Sequence, residues 1–207
     1  MTAGVGGTPT DQQATTKSER TRRAILQAAI VRFAREGYRS TSLSAISRDA
    51  GLSPTAIYPY FANKEALFIA AVDEDAAGEI EDGLAGVRTE DVIGDWLRLM
   101  LGFVDALGDH PLARRVLAGL EPEFTVRLIG IPALDQLRKG LADGLESLQL
   151  RETLRADLDP TAMASGLTTI WLSLLMSLVQ TGTSPIDLLG QDVVAVFEAA
   201  LSPARNP

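Results

Sequence analysis

Residues 41–67 read TSLSAISRDAGLSPTAIYPYFANKEAL, a stretch in which two short helices are separated by a glycine. Thr41 and Ser42 offer hydroxyls that cap a helix turning Leu43, Ile46 and Ala50 inward, and Gly51 ends it after about two turns. Ser53 caps the next helix, with Pro54 at the first helical position, where a missing N–H costs nothing. Such a unit lets the second helix enter the major groove of DNA while the first braces it across the backbone. On that second helix Thr55 presents a hydroxyl and a methyl, Pro54 and Ala56 present apolar surface, and Tyr58 and Tyr60 present donors for phosphate oxygens. Asn63 caps a further helix, and Lys64 adds an ammonium to that N-terminus, both attractive to phosphate. Pro59 removes one N–H and predicts an early end to the second helix.

Upstream, Ile25, Leu26, Ala29, Ile30 and Phe33 form a helical stripe opened near Ser18 and closed by Gly37, completing a three-helix helix-turn-helix domain. Short helices joined by a glycine turn also occur in helical proteins that bind no DNA, so geometry alone leaves the question open. The run TRRAILQAAIVRFAREGYRSTSLSAISRDAGLSPTAIYPYFANKEALFIAAV, from Thr21 to Val72, resembles the DNA-binding domain of the TetR/AcrR family. The resemblance rests on Ala28, Phe33, Gly37-Tyr38, Thr41-Ser42, Ile46, Ala50-Gly51-Leu52-Ser53, Ile57-Tyr58, Tyr60-Phe61 and Asn63-Lys64-Glu65-Ala66-Leu67, in order and at family spacing. It implies backbone contacts from Thr41, Ser42, Tyr58, Tyr60 and Lys64, and base reading by Ser53, Pro54, Thr55 and Ala56.

Charge divides the chain in the same way. The net charge is −8, but residues 1–70 carry nine Lys/Arg against five Asp/Glu, which is +4, and the remainder carries ten against twenty-two, which is −12. A polyanion is attracted to the first third and repelled elsewhere. The absence of cysteine excludes disulfides and thiolate chemistry and suits a reducing cytoplasm. Residues 1–17 lack an apolar core and read as a disordered arm rather than a signal peptide. The apolar stretch Gly166–Val179, 14 residues long, falls short of the roughly 20 needed to span a membrane and reads as a buried helix. The expected organisation is all-α with about nine helices: the arm, a DNA-binding domain over 18–68, a helical bundle over 69–202 for ligand binding and dimerisation, and a loose tail over 203–207.

In the bundle, Asp73, Glu74, Asp75, Glu79, Glu81 and Asp82 lie on the long helix after Lys64. With no histidine among them and neighbours on different faces, they read as a solvated face rather than a metal site. The excess apolar width of the helix holding Trp96, Met100 and Phe103, together with Phe124, Leu128, Leu137 and Trp171, makes these residues candidates to line a cavity, though each taken singly reads first as plain core. The stripes holding Leu174 and Leu178, then Val193 and Phe197, are candidates for a dimer interface. His110, the only histidine, precedes Pro111 at a helix start and reads as a loop residue, with pH sensing or ligand contact as the alternative. There is no recognisable nucleophile, base and acid set and no phosphate loop, so neither an enzyme nor a cofactor or metal is expected. By the resemblance, the last two long helices form the dimer interface and the preceding ones surround a ligand pocket. The expected function is a homodimeric, cytoplasmic regulator without membrane attachment, released from a palindromic operator by a small, largely apolar effector. The alternatives are a helical scaffold without operator specificity or an enzyme acting in the cavity.

Overall fold

The computed structural model describes residues 9–85, 96–182 and the single positions 184, 193, 195, 196 and 199, the side chains of 9–16, 96–100 and 128 aside. Among the described residues there are eight helices and no strand: α1 Pro9–Ser40, α2 Leu43–Asp49, α3 Lys64–Leu84, α4 Trp96–Ala106, α5 Pro111–Leu117, α6 Thr125–Leu128, α7 Pro132–Leu150 and α8 Pro160–Thr181. The chain divides into two compact units, Met1–Ala71 and Val72–Pro207.

The first unit is built on the stripe legible in its sequence. Ile25, Leu26, Ala29, Ile30 and Phe33 of α1 are buried with Ala45 and Ile46 of α2, Ile57 and Phe61 of the following segment, and Leu67, Phe68 and Ala71 of α3. Phe33 meets Phe68 edge-on with centroids 5.0 Å apart, and Tyr38 meets Phe68 at 5.2 Å, geometries that aromatic quadrupoles favour. Gly37 breaks the helical run with φ 79° and ψ 168°. Where the sequence suggested an arm as far as Lys17, α1 is helical from Pro9, because Gln12, Gln13, Ala14 and Lys17 suit a helix and no further Gly or Pro intervenes. Arg32 holds the Asp49 carboxylate through two nitrogens and also pairs with Glu36. The Asp49 carboxyl is held below its usual range chiefly by that hydrogen bond.

The second unit packs α8 against α7 and α5. By length and composition α8 could cross a membrane, and it exceeds the 14-residue stretch read from sequence. One of its faces, holding Ala164, Leu167, Thr168, Trp171, Leu175 and Leu178, is nevertheless buried in the bundle. Helices α3 and α4 approach closely at two glycines: a Cβ on Gly102 would lie 2.9 Å from the Gly83 carbonyl oxygen, and one on Gly83 would overlap the Phe103 ring. Phe103 is itself buried against Trp171, centroids 4.4 Å apart, and cannot yield freely. Gly83→Ala is therefore expected to lower stability by about 1–2 kcal/mol: overpacking costing roughly 1–3 kcal/mol outweighs the ~1 kcal/mol gain in helix propensity. A thermal melt decides the sign.

Candidate nucleic-acid interface and effector cavity

The interface begins with how α2 is opened and closed. The Ser42 hydroxyl accepts the Ala45 N–H at 3.2 Å, as an N-cap should. At the other end the Gly51 N–H donates to the Arg48 carbonyl at 3.0 Å and the Leu52 N–H to the Ser47 carbonyl at 2.8 Å, with Gly51 at φ 72°. This is a Schellman closure, whose left-handed residue favours glycine. It reverses the chain directly into the segment expected to read DNA.

That segment is not the α-helix its pattern suggested. Ala56, Tyr58 and Tyr60 donate to the carbonyls of Ser53, Thr55 and Ile57, each three residues back, and only Phe61 to Ile57 spans four. Pro59 has no N–H to give the Thr55 carbonyl, which takes Tyr58 instead at 3.4 Å, so Pro54–Tyr60 forms successive tight turns. Buried Ile57 and Phe61 anchor these turns. Ser53, Pro54, Thr55 and Tyr58 face outward, Tyr58 being 56 % exposed, while Ala56 and Tyr60 are half-buried.

Two of the expected contact residues point elsewhere. Thr41 is 3 % exposed and its hydroxyl donates to the Gly37 carbonyl at 2.8 Å, closing the end of α1. The Lys64 ammonium donates to the carbonyls of Tyr38 at 2.9 Å and Thr41 at 3.0 Å and lies 4.3 Å from the centre of the Tyr38 ring. It thus occupies the negative C-terminal end of α1, while Asn63 caps α3 by accepting the Ala66 N–H at 2.8 Å. Lys64→Ala should lower the first unit's stability by about 1.5–3 kcal/mol, the scale of charge-assisted hydrogen bonds, as read by denaturant unfolding. Arginine should restore only part of it, since its planar fork does not reproduce a compact ammonium.

Sequence reasoning counted the positive charges without assigning them. Lys17, Arg20, Arg22 and Arg23 are exposed on α1, and the Arg22 guanidinium lies 5.5 Å from the Phe61 ring, at the end of the turn segment. The signal was available: Arg22 precedes Leu26 by one helical turn, so it continues the face that the turn segment covers. Ser42, Arg48, Thr55 and Tyr58 are exposed as well, so the first unit presents cations and neutral hydrogen-bonding groups, the residue types that phosphate positioning and base reading use.

In the second unit, the acidic run on α3 is only in part the solvated face expected of it: Glu74, Glu81 and Asp82 are exposed, but Asp73, Asp75 and Glu79 turn inward. Asp75 is buried, and its Oδ2 accepts the N–H groups of Leu112 and Ala113, both at 2.8 Å. Asp73 Oδ1 accepts the Ala133 N–H at 2.8 Å. The starts of α5 and α7, whose own N-cap residues His110 and Ile131 supply no side-chain bond, are thus capped by carboxylates from α3. His110 is likewise more than a loop residue: its Nδ1 is 3.2 Å from Asp75 and its Nε2 3.1 Å from Asp82.

Glu79, one turn beyond Asp75, is 3 % exposed, and its Oε1 has no hydrogen-bond partner among the described residues. Burial, reinforced by the Asp75 charge, pushes its carboxyl up to about 8. It borders a cavity of about 170 Å³, walled mainly by Val72, Ala76, Ile80, Val116, Leu134 and Leu172, with Thr168 and Trp171 from α8. Of the expected lining residues whose side chains are described, Trp171 alone reaches it. Phe103, Phe124 and Leu137 are buried as core and lie outside the cavity wall. The side chains of Trp96, Met100 and Leu128 lie outside the described residues. Of the expected dimer contacts, Leu178 is buried within its own bundle, Leu174 and Val193 are half-buried, and Phe197 lies outside the described residues.

A Schellman-closed helix feeding an exposed polar segment, in a unit distinct from the helical bundle that follows, is the arrangement of a helix-turn-helix domain. Residues 25–71 match the family described as bacterial regulatory proteins, tetR family. A protein of Mesorhizobium loti assigned to the TetR-family transcriptional regulators is 25% identical over 89% of this chain and 98% of its own, with a TM-score of 0.68. The same fold is found in a TetR-family regulator from a Rhodococcus species (20% identity, 89% and 100% coverage, TM-score 0.69). It recurs in SmeT, the repressor of the Stenotrophomonas maltophilia multidrug efflux pump SmeDEF (20% identity, 89% and 91% coverage, TM-score 0.62). Residues 25–71 thus carry a tetR-family DNA-binding domain, and the chain as a whole is similar in fold to TetR-family transcriptional regulators.

Proposed function

We propose that the protein is a homodimeric cytoplasmic repressor that holds a palindromic operator and lets it go when a small, largely apolar molecule enters the cavity of the second unit. The observation that carries the DNA half is the turn segment Ser53–Tyr58, anchored by Ile57 and Phe61 so that Thr55 and Tyr58 face outward. Thr55 is the proposed base reader, while Tyr58, Ser42 and the cations of α1 hold phosphates. The cavity supports the effector half, and α3 is the proposed route between them, one continuous helix with Lys64 at its start and Glu79 about four turns on. A coupling of about 1–3 kcal/mol would weaken operator binding some 5- to 150-fold. The test is retention of fragmented genomic DNA on the purified protein at about 150 mM salt, where non-specific binding is weak, followed by sequencing. Peaks sharing an inverted repeat are expected, and flat recovery would sink the reading. Thr55→Ala should cost about 1–3 kcal/mol on the operator and leave binding to unrelated DNA unchanged, whereas Tyr58→Ala should weaken both.

A further inference from the structure

Three of the four hydroxyls in the cavity wall, those on α8, share one property, Thr125 of α6 being the fourth. The hydroxyls of Thr168, Thr169 and Ser173 donate to the carbonyls of Ala164, Ser165 and Thr169, at 2.8, 2.9 and 2.8 Å, so each has spent its proton on its own helix. What they turn toward a ligand is lone pairs. Glu79 adds a buried carboxyl with an unpartnered oxygen. Among the described residues the one cation in the wall is Arg138 of α7, already taken by Asp135 at 2.6 Å and the Ile129 carbonyl at 2.8 Å. The remaining charged neighbours offer Glu79 no counter-charge: Asp75 carries the same sign, and His110, before α5, is held between Asp75 and Asp82. From α5 come only Ala113, Val116 and Leu117, and from α8 the hydroxyls with the face of Trp171. A wall of acceptors and one uncompensated acid is complementary to a hydrogen-bond donor bearing positive charge.

We propose that the cavity selects an apolar cation, a primary ammonium or amidinium on a hydrocarbon body, with the Glu79 carboxylate as its counter-charge. The inference deepens the effector reading above and rests on it. A cavity of this volume takes a single ring or a short chain. Burial keeps Glu79 protonated in the empty cavity at neutral pH. On binding, its O–H bond breaks, the proton passes to the buffer, and the carboxylate pairs with the cation. Each bound ammonium therefore releases about one proton per site below pH 8, and its affinity rises about tenfold per pH unit between 6 and 8.

Calorimetry on the full chain with octylammonium, octanol and octanoate, at pH 6, 7 and 8 in buffers of different ionisation heat, tests this. Octylammonium should bind at least tenfold more tightly than octanol at pH 8, with the pH slope and proton release above. Glu79→Gln should abolish both the preference and the slope while keeping octanol binding, and its melting curve verifies folding. The wild-type proton release stands independently of that variant. Tightest binding of octanoate, or an ammonium preference and slope that survive Glu79→Gln, would overturn the proposal. If octanoate or octanol binds best and also releases operator DNA, the effector reading survives and this inference fails. If none of the three binds, this inference falls and the effector reading loses its support as well.

Discussion

Replacing Asp75 by alanine is expected to lower the thermal midpoint of the second unit by roughly 10 °C. The Asp75 carboxylate accepts two buried backbone N–H groups at the start of α5 and fixes the His110 ring, all from a position that is itself buried. Truncation leaves those donors with neither protein nor water, at about 1–3 kcal/mol for each unsatisfied group. A total of about 3–4 kcal/mol corresponds to a shift of roughly 10 °C in a domain of this size. Asp75→Asn, which keeps one carbonyl oxygen, should recover about half. A loss under ~1 kcal/mol for alanine would mean that the α5 cap contributes little.

The second large effect depends on pH. Glu79 titrates near 8 in the folded chain against 4.5 ordinarily, because burial and the Asp75 charge both disfavour its ionised form. Between these two values the folded state keeps a proton that the unfolded state has lost, so this group drains stability as pH rises from about 4.5 to about 8 and no further beyond. Glu79→Gln, which is never charged, should match the wild type near pH 4 and exceed it by on the order of 3–5 kcal/mol at pH 8.5. Denaturant midpoints across that range check the claim, and parallel curves for the two proteins would refute it. Asp49 acts in the opposite sense: its carboxyl is depressed by Arg32, so its contribution is present above the ordinary carboxylate range and is lost on acidification.

The parts of the fold that were legible are those fixed by near neighbours. The stripe from Ile25 to Phe33, the Ser42 and Asn63 caps and the Gly51 turn depend on residues within one or two turns of each other, and each lies where its pattern put it. What the sequence concealed lies at long separation. Lys64 is drawn to carbonyls 23 and 26 residues upstream, and Asp75 and Asp73 cap helices 37 and 60 residues downstream. No local pattern distinguishes such carboxylates from solvated ones. The cavity eluded composition for a related reason: aromatics mark where volume is filled, whereas a void lies beside residues such as Val72, Ala76 and Val116 that are too small to fill it.

The turns proposed to face DNA hold two prolines in seven residues, Pro54 and Pro59. Each ring locks φ near −65° and narrows the choices open to the unfolded chain, a restriction that favours a compatible native state by about 0.4–1 kcal/mol. A segment with a single α-type bond at its end therefore has less chain entropy to lose in the proposed docking against DNA. Its rigidity comes from covalent rings, which do not melt, where a longer helix would draw it from a ladder that frays.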